Sequence, residues 1–171
     1  MTRFASKFDI VSRDPHPNAQ AGLMLIWDVD SSLLPSPMHS PEGTPVPGIL
    51  PAGTIMMLNP ATGAALKGVG IADITANFRK IFAVTIDGDM DFDGAQFHRL
   101  TCIQGGMEIV TDQFVDGAGL VPGAPLTVGN GGSAGKFILA TDVKNQLYGF
   151  VGAEGKDATN GILNVIVPQG V

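Results

Sequence analysis

Four carboxylates stand at every second position of Asp87-Gly88-Asp89-Met90-Asp91-Phe92-Asp93-Gly94. Hard cations such as Ca²⁺ want several oxygens at short range, and D-x-D-x-D-G from Asp89 to Gly94 opens like a helix–loop–helix calcium loop. Its twelfth position, however, is Leu100, where the bidentate glutamate belongs. A strand end or loop tip accounts for the same spacing, because period two puts Asp87, Asp89, Asp91 and Asp93 on one side and Met90 and Phe92 on the other. The expectation is a solvated acidic loop, with a noncanonical Ca²⁺ site at these four residues as its rival. Gly131-Gly132-Ser133-Ala134-Gly135 satisfies G-x-S-x-G, the turn that presents a nucleophilic serine in hydrolases. All three histidines, His16, His39 and His98, precede Ser133, whereas that fold places histidine last, and the following KFILATD reads as strand rather than helix. The loop also ends in Gly135-Lys136, but Asn130 stands where a phosphate loop needs glycine and Phe137 where it needs Ser or Thr. Cys102, the single cysteine, sits in the apolar run LTCI and reads as a small buried hydrophobe. The sequence therefore nominates no catalytic residue, no metal ligand set and no cofactor site, and the expectation is a protein without enzymatic activity.

The scaffold holding these residues is bounded by composition. The chain has 171 residues, 44% of them hydrophobic, 15% charged and 6% aromatic, which fits one soluble globular domain able to bury about two-thirds of its surface. Ten Lys and Arg against sixteen Asp and Glu leave a net charge of −6, which disfavours nucleic acid and anionic membrane surfaces as partners. One cysteine excludes an internal disulfide, and MTRFASKFDIVSRDPHPNAQ has no apolar run resembling a secretory signal, so the chain is expected to mature in a cytoplasm. Glycine at 23 and proline at 12 make up roughly a fifth of the residues, well above ordinary usage, and interrupt nearly every window long enough for a helix. The predicted fold is all-β, a small barrel or sandwich of about eight to ten short strands with at most one short helix.

Along the chain, residues 1–21 read as an extended N-terminal arm, and residues 22–171 as a single β domain. Leu23–Asp30 reads as a strand with Leu25, Trp27 and Val29 on its core side. Residues 33–51 hold six prolines, which exclude a helix or central strand; the segment is a surface loop or an extended piece lying along a partner subunit. Ile55–Leu58 and Ala64–Lys67, separated by Asn59-Pro60-Ala61-Thr62-Gly63, form the predicted hairpin. Ala72–Phe82 is the one window with helical spacing, although its end also reads as strand. KIFAVTI, QFHRLTCI and MEIVTDQFV, divided by the acidic loop and by Gly105-Gly106, are expected to form three antiparallel strands. A second hairpin falls within Val121–Ala140, whose outline matches Leu50–Gly68; internal duplication and two independent hairpins both explain the likeness. QLYGFVGAEG and NGILNVIVPQ supply the last strands, joined by a polar loop from Glu154 to Asn160.

PAGTIMMLNPATGAALKG, and GAPLTVGNGGSAGKFILATD followed by LYGFVGAE, resemble segments of tailed-phage head decoration proteins, also called capsid cement proteins. The resemblance spans about Gly48 to Gly70 and Gly117 to Val167. It implies a non-enzymatic, β-rich virion protein, a homo-oligomer and commonly a trimer, that binds the major capsid protein on the capsid exterior and braces the shell. That family offers no catalytic motif to match. The Pro-rich N-terminal third and the DGDMDFDG loop depart from its pattern. A tail or baseplate β module of a phage is the alternative within the virion, and a Ca²⁺-dependent carbohydrate or adhesion module the alternative outside it.

Overall fold

The computed structural model describes residues 8–13, 23–30, 50–59, 61–70, 80–86 and 99–169. The fold is all-β. Among the described residues eleven strands run in the order β1 (Phe8–Arg13), β2 (Leu23–Asp28), β3 (Ile55–Leu58), β4 (Ala65–Lys67), β5 (Phe82–Thr85), β6 (Arg99–Gln104), β7 (Met107–Thr111), β8 (Pro125–Val128), β9 (Phe137–Leu139), β10 (Gly149–Asp157) and β11 (Ile162–Val167). They form a six-stranded sheet, β1-β7-β11-β10-β8-β9, and a five-stranded sheet, β2-β6-β5-β3-β4, with every strand pairing antiparallel. The only helical piece among the described residues is a 3₁₀ turn at Gly131–Ser133.

Both predicted hairpins are present. In the first, the Asn59 N–H donates to the Ala64 carbonyl at 2.8 Å, and Gly63 takes the left-handed φ of 72° that closes the turn. The predicted strand at Leu23 is β2, with Trp27 and Val29 buried and Ile26 on the opposite face exposed. Within residues 1–21, Phe8–Arg13 is a strand in register with β7, its pairing shifted once between Ile10 and Ser12. Residues 31–49, which hold most of the Pro-rich segment, and residues 71–79, which hold most of the helical window, lie outside the described residues; Phe82 at the end of that window opens β5.

Two expectations are corrected. β5 and β6 pair antiparallel as predicted, but β6 and β7 lie in different sheets, so the three apolar segments do not form one meander. Gly105 and Gly106 carry the chain between the sheets with φ of 59° and 67°, and a Cβ on Gly105 would sit 2.4 Å from the Pro168 carbonyl oxygen. The polar loop expected from Glu154 to Asn160 is shorter, because β10 continues to Asp157. A register shift between Val151 and Lys156 absorbs the extra residues, with Gly155 at φ 65°.

The two sheets are built alike. Residues from β2 to β6 and from β7 to β11 each supply five strands, and in both sets the spatial order is first, fifth, fourth, second, third. The likeness extends to single hydrogen bonds. Gly53 and Gly123 both have φ 82°. The Gly53 N–H donates to Thr85 O at 2.8 Å, as Gly123 does to Val151 O at 2.8 Å. Thr85 N–H returns a bond to Thr54 O at 3.0 Å, as Val151 does to Ala124 O at 2.9 Å. In each set the chain beyond the first strand comes round to bridge the third in parallel, Val29 to Ala65 and Phe114 to Phe137, so that each five-stranded unit closes into a small barrel. Asp30 N–H then donates to Ala65 O at 3.0 Å and Val115 N–H to Phe137 O at 2.9 Å. The chain is thus a tandem pair of one structural unit, with β1 added to the second.

Packing follows from the strand period. Trp27, Val29, Leu50, Met56, Ala65, Ala83, Leu100 and Cys102 fill the interior of the first unit. A second cluster combines the interior of the other unit, including Ile109, Leu126, Phe137 and Val165, with Ile55, Phe82, Val84 and Ile103 from the outer face of the first. Strand β5 of the first unit is therefore buried on both faces, whereas Ile26 on the edge strand β2 stays exposed. Each fully buried large apolar side chain contributes on the order of 1.5–3 kcal/mol relative to exposure.

Candidate interaction surface

Among the described residues, those with potential chemistry do not converge. Ser133 ends the 3₁₀ turn at the tip of the β8–β9 hairpin, where its carbonyl accepts from Lys136 N–H at 3.1 Å. The following strand places Phe137 in the core rather than a helix behind a nucleophile. Cys102 is fully buried in the first interior. Asp87, Asp89, Asp91 and Asp93 and all three histidines lie outside the described residues. Among the described residues no group of three or more His, Cys, Asp or Glu side chains could hold a metal ion. Nor is any helix among them long and apolar enough to cross a membrane.

Buried polar groups serve the seam between the units. Gln146 clamps the backbone of Lys80, its Oε1 accepting from the Lys80 N–H at 2.9 Å while its Nε2 donates to the Lys80 carbonyl at 2.8 Å. Thr127 Oγ1 donates to the Gln146 carbonyl at 2.6 Å, so the same loop is tied to β8. Next to this clamp, the Tyr148 ring lies 5.2 Å from Phe82 in a tilted pair and 5.9 Å from Phe137 in a stacked one. The Tyr148 hydroxyl is buried without a hydrogen-bond partner. Burial pushes its phenol far above the usual range, and Cys102 nearby adds to the rise, so it stays neutral and cannot act as a base. On the other side of the second unit, the Asn164 amide donates to Glu108 at 3.0 Å. Asn164 also occupies the space beside Gly152, where an added Cβ would come within 1.7 Å of its Oδ1. At the surface, the Lys156 ammonium binds the Asp116 carboxylate and, chiefly through that hydrogen bond, holds its pKa below the usual value.

What the surface does offer is apolar. Ile26, Ile81, Val115, Val121, Val143, Leu147 and Ile166 are the large hydrophobic side chains left exposed among the described residues, five of them in the second unit. Ile166 belongs to a cross-strand row, Pro125–Phe150–Ile166, on the outer face of β8, β10 and β11. Pro125 is exposed, Phe150 half-buried and Ile166 42% exposed. The matching row of the first unit is Ile55–Val84–Ile103, paired in the same register and wholly buried. Sequence reasoning missed this face. Its signal was alternation in ILNVIV, where Ile162, Asn164 and Ile166 share one side and Leu163, Val165 and Val167 the other, so that both sides carry apolar residues.

No protein-family model, no curated protein and no solved structure matches this chain.

Proposed function

We propose that this chain is a non-enzymatic virion protein that decorates the exterior of a phage capsid, contacts the major capsid protein and stabilises the shell as a homo-oligomer, in the first instance a trimer. The observation that carries the reading is the distribution of exposed apolar side chains: Ile26, Ile81, Val121, Val143 and Ile166 stand on separate strands and loops. Contact spread over several neighbours can draw on apolar side chains dispersed in this way. Two further features support it. The net charge of −6 suits a position outside the shell, away from packaged polyanion. The resemblance of the two hairpin segments to decoration proteins falls on the paired hairpins of the tandem units.

The N-terminal arm and Pro-rich segment, Met1 to Pro51, supply many of the inter-subunit contacts in this proposal. Because Phe8–Arg13 forms the edge strand on β7, the informative truncation removes residues 1–7 and leaves β1 in place. Co-sedimentation of the full chain and of this truncation with purified phage heads tests it. The full chain is expected to pellet with heads, and the truncation to be retained less. Equal retention removes residues 1–7 from the contact; a full chain that stays in the supernatant, or that image reconstruction locates on the tail or baseplate, overturns the capsid assignment.

A further inference from the structure

Each unit opens with a strand that has one neighbour inside the unit, β7 beside β11 and β2 beside β6, and in the second unit the outer side of that strand carries an addition. β1 lies antiparallel along β7 from Phe8↔Thr111 to Arg13↔Met107, ending just short of the Phe114 bridge that closes the unit. The first unit has the same place. β2 runs from Leu23 to Asp28 ahead of the Val29 bridge to β4, and among the described residues no strand pairs with its outer side along that length. The direction of its backbone groups follows from the closing bond. Asp30 N–H donates outward, to Ala65 O at 3.0 Å, and alternate residues of a strand aim their N–H and C=O groups at the same side, so Met24 and Ile26 also direct theirs away from β6. The edge is regular as well. Its register on β6 is unbroken from Leu23↔Gln104 to Asp28↔Arg99, five of its six residues are apolar, and Ile26 is 70% exposed. β1, the other edge with a single partner, is interrupted by a register shift between Ile10 and Ser12, an irregularity that discourages further pairing.

From these observations we infer that β2 pairs with β2 of a second copy of this chain, antiparallel about a twofold axis at Leu25, so that Met24 of each copy stands opposite Ile26 of the other. The inference deepens the homo-oligomer part of the proposed function and rests on it. Met24 and Ile26 exchange N–H···O=C bonds across the axis, which satisfies the outward groups of both copies. The added strand spans Leu23 to Trp27, which corresponds to Met107–Thr111, the stretch of β7 that β1 covers, and so fits beside the closing bridge. Charge favours self-pairing in this direction. The one charged residue of β2 is Asp28, at its end. A twofold axis at Leu25 holds the two copies of Asp28 ~20 Å apart, at ~3.3 Å per residue, beyond the ~10 Å screening length, whereas parallel in-register pairing would set them side by side. The exposed Ile26 side chains of the two copies become diagonal neighbours on one face. The contact is isologous, the same patch used twice. A threefold cluster of copies leaves this edge for contact between clusters, and a closed shell relates its threefold clusters by twofold axes, so the pairing braces one cluster against the next.

Cysteines at the facing positions of the full chain test the inference; Cys102 is buried opposite Leu25, out of step with both new thiols. Opposed residues that exchange hydrogen bonds have Cα atoms about 5.5 Å apart, within reach of a disulfide. Under mild oxidation the double variant Met24→Cys with Ile26→Cys is expected to give a two-chain band on a non-reducing gel and nothing larger, and each single variant only one-chain bands. A double variant that stays at one chain, a ladder of larger multimers, or a single variant that links by itself overturns the pairing. As a second measurement, Ile26→Pro removes an outward N–H and leaves the bonds to β6 in place, so the mass of the native particle should fall twofold without a change in far-UV circular dichroism; an unchanged mass with the fold retained sinks the inference. Binding to heads is scored separately. A chain that decorates heads yet never links through β2 refutes this contact and leaves the capsid reading standing, whereas one that links but stays off heads upholds the contact and overturns the capsid reading.

Discussion

The first unit and the second share strand order, closing bridges and turn hydrogen bonds, yet they fill their interiors with opposite choices. In the first, Trp27 on the opening strand faces Leu100, and the closing strand contributes the small Ala65. In the second, the position corresponding to Trp27 is Thr111, paired with Leu163, and the position corresponding to Ala65 is Phe137. Bulk removed from one wall is restored on another, while the facing position keeps a leucine in both units, Leu100 and Leu163. Cores tolerate such exchange when volume and pattern are conserved. The outer faces differ in the same spirit: identical register, but one row sealed by a neighbouring unit and the other left bare. A repeated backbone can thus be specialised entirely by side-chain size and by which face is covered.

Breaking the exchange should give the largest effect. Phe137→Ala empties a fully buried ring position and is expected to cost about 3–5 kcal/mol by denaturant unfolding. The reverse change, Ala65→Phe, overfills the first interior and should cost less, about 1–3 kcal/mol. A Phe137→Ala loss below that caused by Ala65→Phe would contradict the exchange of bulk between walls. A smaller effect of opposite sign is expected at the seam: Tyr148→Phe removes a buried hydroxyl that has no partner while keeping both ring contacts, and should raise stability by about 1 kcal/mol. Destabilisation there would reveal a partner for the hydroxyl. The smallest effect is expected at the surface of the second unit. Asp116 is held below its ordinary pKa by Lys156, so its contribution is complete above the unfolded-state value and is lost as pH falls through the lower folded value. Asp116→Asn should therefore flatten the acid limb of the melting-temperature profile slightly at low salt and change nothing at high salt, where exposed pairs are screened.

Much of the fold could be read from local chemistry. Alternation located β2, the turn residues Asn59 to Gly63 located the first hairpin, and the glycine-rich stretch located the second. The route between β6 and β7 could not be read, because two apolar strands joined by Gly105-Gly106 look the same whether they pair or part. In the fold the Pro168 backbone lies against Gly105, a contact between residues far apart in the sequence. The duplication was visible in outline at Leu50–Gly68 and Val121–Ala140, where Leu50 and Leu120 are both buried ahead of the paired turns. It was obscured elsewhere by the exchange of Trp27 with Thr111 and Ala65 with Phe137, and by a second turn two residues longer than the first. The apolar row at Ile166 was hidden for another reason. A strand with apolar residues on both sides reads as central and covered, and only the tertiary arrangement tells which cover is missing.

The parallel bridges that close each unit have a further consequence. Hairpins ending a sheet ordinarily expose a ladder of backbone donors and acceptors on which stray strands can template, the first step toward fibrils. Here Val29 and Asp30 occupy that rung on β4, and Phe114 and Val115 on β9, so among the described residues the edge strands with a single partner along their length are β1 and β2. Backbone stacking between crowded copies is then confined to those two edges and closed off at both hairpin ends.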